Sequence, residues 1–200
     1  MSPRALTEQE KTFQRQRLMA TAQELVLAHG IRGVSVDDIV RATRMAKGSF
    51  YSYFGSKEAL MMQLVWDIYQ GFVDQATALI RQSSPETLRY NMGVFIRAIL
   101  SEPDKVFFFR NHQELGILLA GLKPQEKADF SALELEAFGG LIMLAGKNTA
   151  VVRPGVVHNY IHAMYFALND GAMAPDCLAE TLEAMLEGLL CYVFGPEGAV

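Results

Sequence analysis

Residues 34–60 read VSVDDIVRATRMAKGSFYSYFGSKEAL, and the expected fold follows from them. Ser35 is a helix-capping residue type, and Asp37 and Asp38 follow where carboxylates suit the first turn of a helix. That helix is expected to run to about Thr43. A second short helix spans about Ala46 to Phe54, Gly55 ends it, and Ser56 caps the next. Two short helices joined by a tight turn over 36–54 have the dimensions of a helix-turn-helix. This unit lays its second helix in a DNA major groove.

The second helix carries suitable chemistry. Lys47 brings charge to its N-terminal end, and Gly48 lets a partner approach the backbone closely. Ser49 can exchange hydrogen bonds with a base edge, while Tyr51 and Tyr53 can give hydroxyls to phosphates. Lys57 is expected to pair with the phosphate backbone, and Ser35 and Ser52 are expected among the DNA contacts. Ile39, Val40, Phe50 and Phe54 then form the internal core.

These residues resemble the DNA-binding head of the TetR family of bacterial transcriptional regulators. Gly48, Phe50-Tyr51, Tyr53-Phe54 and Ser56-Lys57-Glu58 with Leu60 match the family pattern in order and spacing. The resemblance covers about residues 10–60; beyond them it is one of helix number, length and order. Two positions depart from it: Arg44 stands where the family usually has Gly, and Ala46 where it has Ser or Thr. Ala46 cannot cap the recognition helix, which costs roughly 1 kcal/mol. A left-handed turn conformation is costly for Arg44. Either the turn differs slightly or Arg44 adds a compensating contact to DNA.

The rest of the chain fits around this head. Of its 200 residues, half are hydrophobic and one fifth charged, enough to bury a core and unlike a disordered chain. Residues 1–57 hold nine Lys and Arg against five acids, a balance of +4. The other 143 hold nine bases and seventeen acids, a balance of −8. A basic head on an acidic body suggests a polyanionic partner for the head alone. Cys177 and Cys191 are too few for a disulfide framework and read as reduced thiols. The N-terminus lacks an apolar signal core, and no apolar run reaches membrane-spanning length, so a soluble cytoplasmic protein without membrane contact is expected.

Helix follows helix along the chain, with no alternation long enough for a sheet. A first helix is expected over 8–29, with Phe13, Leu18, Ala22, Leu25, Val26 and His29 on one face and Gly30 as its stop. After the head come helices at about 56–82 and 85–101, and a short one from Pro103. Further helices follow at 124–145, 154–169 and 175–194. The expected fold is all-α, nine helices in two parts. Residues 1–55 form the three-helix head, and 56–200 a helical ligand-binding and dimerisation body.

The last two helices carry apolar stripes at three- and four-residue steps. These are Val157, Ile161, Met164 and Leu168, then Leu178, Leu182, Met185, Leu189 and Tyr192. The resemblance implies a homodimer, for which these stripes could make a four-helix bundle; packing within one chain is the alternative. The resemblance also implies a small-molecule pocket in the body. Trp66, Tyr69, Phe95, Phe108, Phe138, Met143 and Tyr165 are its candidate lining, with His112 as a polar group and an apolar effector as ligand. His158 and His162 have a metal-compatible spacing, but no third ligand is evident, so no metal is expected. No catalytic or cofactor motif is present. The reading that results is a sequence-specific transcriptional regulator of double-stranded DNA, a repressor released by its effector. A small-molecule-binding or interaction module that kept the fold and lost operator binding is the alternative.

Overall fold

The computed structural model describes residues 6–101, 116, 118–169 and 173–196. Among them are eight α-helices and no strand. The helix predicted from Pro103, with Phe108 and His112, lies outside the described residues. The described chain falls into two compact units. One runs to Asp67 and takes in Gly116–Gly121; the other comprises Ile68 onward and the residues from Leu122.

In the first unit, α1 spans Glu8–Gly33 behind a reciprocal cap between Thr7 and Glu10. Gly30 interrupts this helix instead of ending it. Its φ of 74° is a left-handed value that glycine takes without strain, and a last turn follows. Leu18, Ala22 and Val26 are buried as the period requires, but Phe13, assigned to the same face, is 66% exposed. The stripe fails there because Phe13 lies in the first turns of α1, N-terminal to every buried residue of that helix.

Helix α2 spans Val36–Thr43 and α3 spans Lys47–Tyr53. Ser35 and Asp38 cap α2 reciprocally. Ile39, Val40, Phe50 and Phe54 are buried, as their spacing suggests. Helix α4, Lys57–Gln82, begins in this unit and ends in the other. Its first turns bury Leu60, Met61, Leu64 and Val65, which carries the first unit past residue 55.

The second unit contains α5 (Pro85–Ser101), α6 (Pro124–Leu144), α7 (Pro154–Asn169) and α8 (Leu178–Phe194). Helix α7 packs on α6 and α8, and α8 also packs on α5. Two glycines permit the close approaches. A Cβ on Gly93 would lie 3.1 Å from a Leu190 methyl, and one on Gly188 3.2 Å from the Tyr160 hydroxyl. Arg97 holds Glu183 through two hydrogen bonds of 2.6 and 2.8 Å, and Arg89 pairs with Glu187 a turn away. Among the described residues no helix is long and apolar enough to cross a membrane.

Candidate functional site

The turn between α2 and α3 presents one face to solvent. The Arg44 amide donates to Arg41 O at 3.2 Å and the Met45 amide to Val40 O at 2.9 Å. These are the paired bonds of a left-handed helix ending, and Arg44 has φ 54° and ψ 37°. The turn is therefore not displaced: arginine takes the conformation that glycine takes elsewhere. The same bonding ends α6, from Gly146 to Met143 O and Lys147 to Ile142 O, and there the left-handed residue is Gly146. An L-residue in this conformation costs about 1–2 kcal/mol. Part of that returns as reduced unfolded-chain entropy when arginine replaces glycine. Arg44→Gly is thus expected to stabilise the head by about 0.5–1 kcal/mol, measured by urea unfolding, and an unchanged midpoint would contradict it.

Ala46 is the N-cap of α3 and offers no side-chain hydrogen bond. The helix is held instead by Phe50, which has no exposed surface and meets Phe54 at 5.9 Å and Tyr51 edge-on at 5.3 Å between ring centres. With Phe50 inward, Lys47, Gly48, Tyr51 and Ser52 are exposed and Ser49 is half-buried. Lys47 Nζ lies 2.9 Å from Asp37 across the turn, with both side chains about half exposed. Such an exposed pair adds little to stability, and its lysine can exchange Asp37 for another anion. Arg41 and Arg44 are exposed beside it, and Ser52 Oγ bonds back to Ser49 O.

Three expected DNA contacts are engaged within the head. Lys57 Nζ donates to Ile31 O and Val34 O, both at 3.0 Å, closing the chain end that follows α1. The Tyr53 hydroxyl donates to Gln14 Oε1 at 2.8 Å, so it ties α3 to α1. Ser35 spends its side chain on Asp38. Their carbonyl and side-chain partners lie within the unit, so each of these groups has a structural role in the head.

The second unit encloses a cavity of about 150 Å³, lined almost wholly by apolar side chains from α4 to α8. A cavity of that size has room for a molecule about as large as benzene. Tyr69, Phe95, Phe138 and Tyr165 line it, as the sequence suggests. Trp66 and Met143 do not. Trp66 belongs to the first unit, and Met143 is 63% exposed because α6 is apolar on faces that cannot all turn inward. Val157, Ile161 and Leu189, expected at a dimer interface, line the cavity, and Met164 has no exposed surface. The Tyr192 hydroxyl is taken by the loop before α7: it accepts from the Arg153 amide and donates to Val151 O. Leu168, Leu178, Leu182 and Met185 stay partly exposed.

One corner of the cavity is polar. Glu134, on α6, is 3% exposed, and among the described residues it is the one charged group in the core. His158 Nε2 lies 3.3 Å from its Oε2 and His162 Nε2 3.7 Å from its Oε1. The imidazoles stack with centres 4.0 Å apart. Burial is the largest influence on Glu134 and opposes its charge, but the hydrogen bonds and charges of the two histidines together outweigh it and hold the carboxyl below its usual range. The bond to Glu134 raises the His158 pKa against the effect of burial. The Tyr69 hydroxyl donates to Glu134 O at 3.1 Å, and burial raises its pKa. The sequence shows the histidine pair at helical spacing, but Glu134 comes from another helix and no local pattern marks it.

These features are those of a helix-turn-helix protein, with an exposed recognition helix in its head and a ligand-sized cavity in its helical body. Residues 18–64 match the family described as bacterial regulatory proteins, tetR family. The Escherichia coli HTH-type transcriptional repressor NemR is 33% identical over 67 residues, 34% of this chain and 34% of that protein. The Mycobacterium tuberculosis HTH-type transcriptional regulator EthR is 32% identical over 75 residues, 38% of this chain and 34% of that protein. The matches thus span about a third of these curated relatives. Likeness of fold extends further. A TetR-family transcriptional regulator from Pectobacterium atrosepticum superposes with a TM-score of 0.66, covering 92% of this chain and 97% of that one at 21% identity. The Streptomyces coelicolor TetR-family regulator SCO4454 gives 0.63 over 90% and 95%, at 20% identity. The head of this chain, over residues 18–64, is similar to that of the TetR family, and the fold of the chain is that of TetR-family regulators.

Proposed function

We propose that this protein is a sequence-specific DNA-binding transcriptional regulator that works as a homodimer and is released from its operator by a small, largely apolar effector. The observation that carries the reading is the exposed face of α3 with its neighbours: Arg41, Arg44, Lys47, Gly48 and Tyr51 point to solvent around one helix N-terminus. Such a face offers cations to phosphates and hydroxyl and amide groups to base edges. The kinship of its head to proteins named as repressors supports the same reading.

Dimerisation supplies two such faces at the spacing of successive major grooves, about 34 Å. The partly exposed Leu178, Leu182 and Met185, at four- and three-residue steps on α8, support that helix as the contact. The effector would occupy the cavity and set a polar end against Glu134 and His162. It can shift the equilibrium only by binding one arrangement of the heads more tightly than the other.

The test is a mobility shift with the DNA upstream of the protein's own gene, using Lys47→Ala as a control. A shift that weakens with salt, and weakens further in the variant, is expected; no shift at low salt overturns the proposal. Gly48→Ala separates folding from binding. A Cβ there meets no atom within 4 Å, so the helix is expected to gain about 0.5–1 kcal/mol while DNA affinity falls. Equal affinity of Gly48→Ala and the parent chain would remove Gly48 from the contact surface.

A further inference from the structure

We infer that Glu134, His158 and His162 form a binding site for one first-row divalent transition-metal ion, with an open coordination position facing the apolar cavity. The donor atoms of the three side chains all lie within 4.8 Å of one another. A four-coordinate ion with bonds of about 2.0–2.2 Å places its donors about 3.3–3.5 Å apart. The two carboxylate–imidazole separations, 3.3 Å to Oε2 and 3.7 Å to Oε1, are close to this, one to each Glu134 oxygen. His162 is half exposed, so its ring is free to adjust toward a shared ion.

The surroundings favour an ion over a bare ion pair. His158 and His162 are one helical turn apart on α7, and their stacked rings aim both Nε2 atoms at the same carboxylate. Asn159 Oδ1 lies 3.4 Å from His158 Nδ1. The tautomer with its proton on Nδ1 leaves the Nε2 lone pair for a metal, the arrangement that orients metal-bound histidines generally. Phe138 packs edge-on against the His158 ring at 6.1 Å, and the Tyr69 hydroxyl pins the backbone of Glu134. The ligating chain is thus preorganised on two packed helices.

The donor set decides the class of ion. Two imidazoles and one carboxylate suit zinc, iron, cobalt, nickel or copper, whereas calcium and magnesium take oxygen ligands. The charge fits as well. One carboxylate with two neutral imidazoles gives −1, and a divalent ion brings the buried cluster to +1 with a position left for water or an effector donor. Glu134 and His162 both line the cavity, so that position opens into it. The site is independent of whether the head binds DNA, and the two readings fail separately.

The experiment uses the full, tag-free chain, freed of metal with a chelator and titrated with Co²⁺. One Co²⁺ per chain is expected, with visible d–d absorption of four- or five-coordinate intensity that Zn²⁺ abolishes on competition. Glu134→Gln, His158→Gln and His162→Gln are each expected to weaken binding by about 100-fold, and Cys177→Ser with Cys191→Ser to leave it intact. His162 is the most exposed of the three ligands, so His162→Gln remains a folded test if the buried variant does not fold; circular dichroism checks this. A Co²⁺ spectrum that stays that of the aqueous ion with the parent chain overturns the site. So does binding that survives in a folded His162→Gln.

Discussion

Phe50→Ala is expected to cost the head about 3–5 kcal/mol, the range for removing a buried aromatic ring from a packed core. Phe50 has no exposed surface, and α3 is only seven residues long with an N-cap that makes no side-chain bond. An isolated helix of that length is not stable in water, so α3 exists through the ring that anchors it. The loss should appear as an early unfolding transition and as abolished DNA binding at temperatures where the parent head is folded. A variant with parental stability would show that Phe50 is not the anchor. Phe50→Leu, which keeps apolar volume, is expected to lose less than half as much.

Lys57→Ala carries the second large effect, about 2–4 kcal/mol. Its ammonium satisfies Ile31 O and Val34 O together, and a hydrogen bond to a charged group contributes about 1.5–3 kcal/mol. Removing it leaves two carbonyls short of a donor where the chain turns from α1 into α2. The measurement also separates two roles. If Lys57 is a structural clasp, the folded variant binds DNA with the parental salt dependence. If Lys57 instead neutralises a phosphate, stability is kept and the slope of log affinity against log salt becomes shallower by about 0.9.

The head was legible because its signals are short-range. Ser35 and the acids after it, Gly55, Ser56 and the inward Ile39, Val40, Phe50 and Phe54 are readable from residue type and period alone. The conformation of Arg44 was not. Its local preference costs one or two kcal/mol, while the packing of Ile39, Val40 and Phe50 between α2 and α3 is worth more and dictates the turn. The internal bonds of Tyr53 and Lys57 were not legible for a related reason. Their partners, Gln14 and the Ile31 and Val34 carbonyls, lie tens of residues away, and no periodicity reports them.

In the body, period shows which helix face is apolar but not what covers it. Val157, Met164 and Leu189 have the spacing of an interface, and the chain's own helices bury them. Aromatic type did not separate lining from core either: Phe72 and His162 line the cavity, whereas Trp66 does not. Glu134 is the clearest case. A carboxylate in an apolar helix reads as solvated until the histidines of α7 are brought against it.

Whether the exposed face of α3 reads DNA sequence can be measured by selecting bound fragments from sheared genomic DNA at low salt. The parent chain is run in parallel with a Lys47→Ala, Tyr51→Ala double variant. The parent is expected to enrich a two-fold symmetric sequence with half-sites one helical turn apart, and the double variant, still folded, is expected not to. A parent chain that enriches no sequence, or a folded double variant that enriches the same one, would contradict a DNA-reading role for this face.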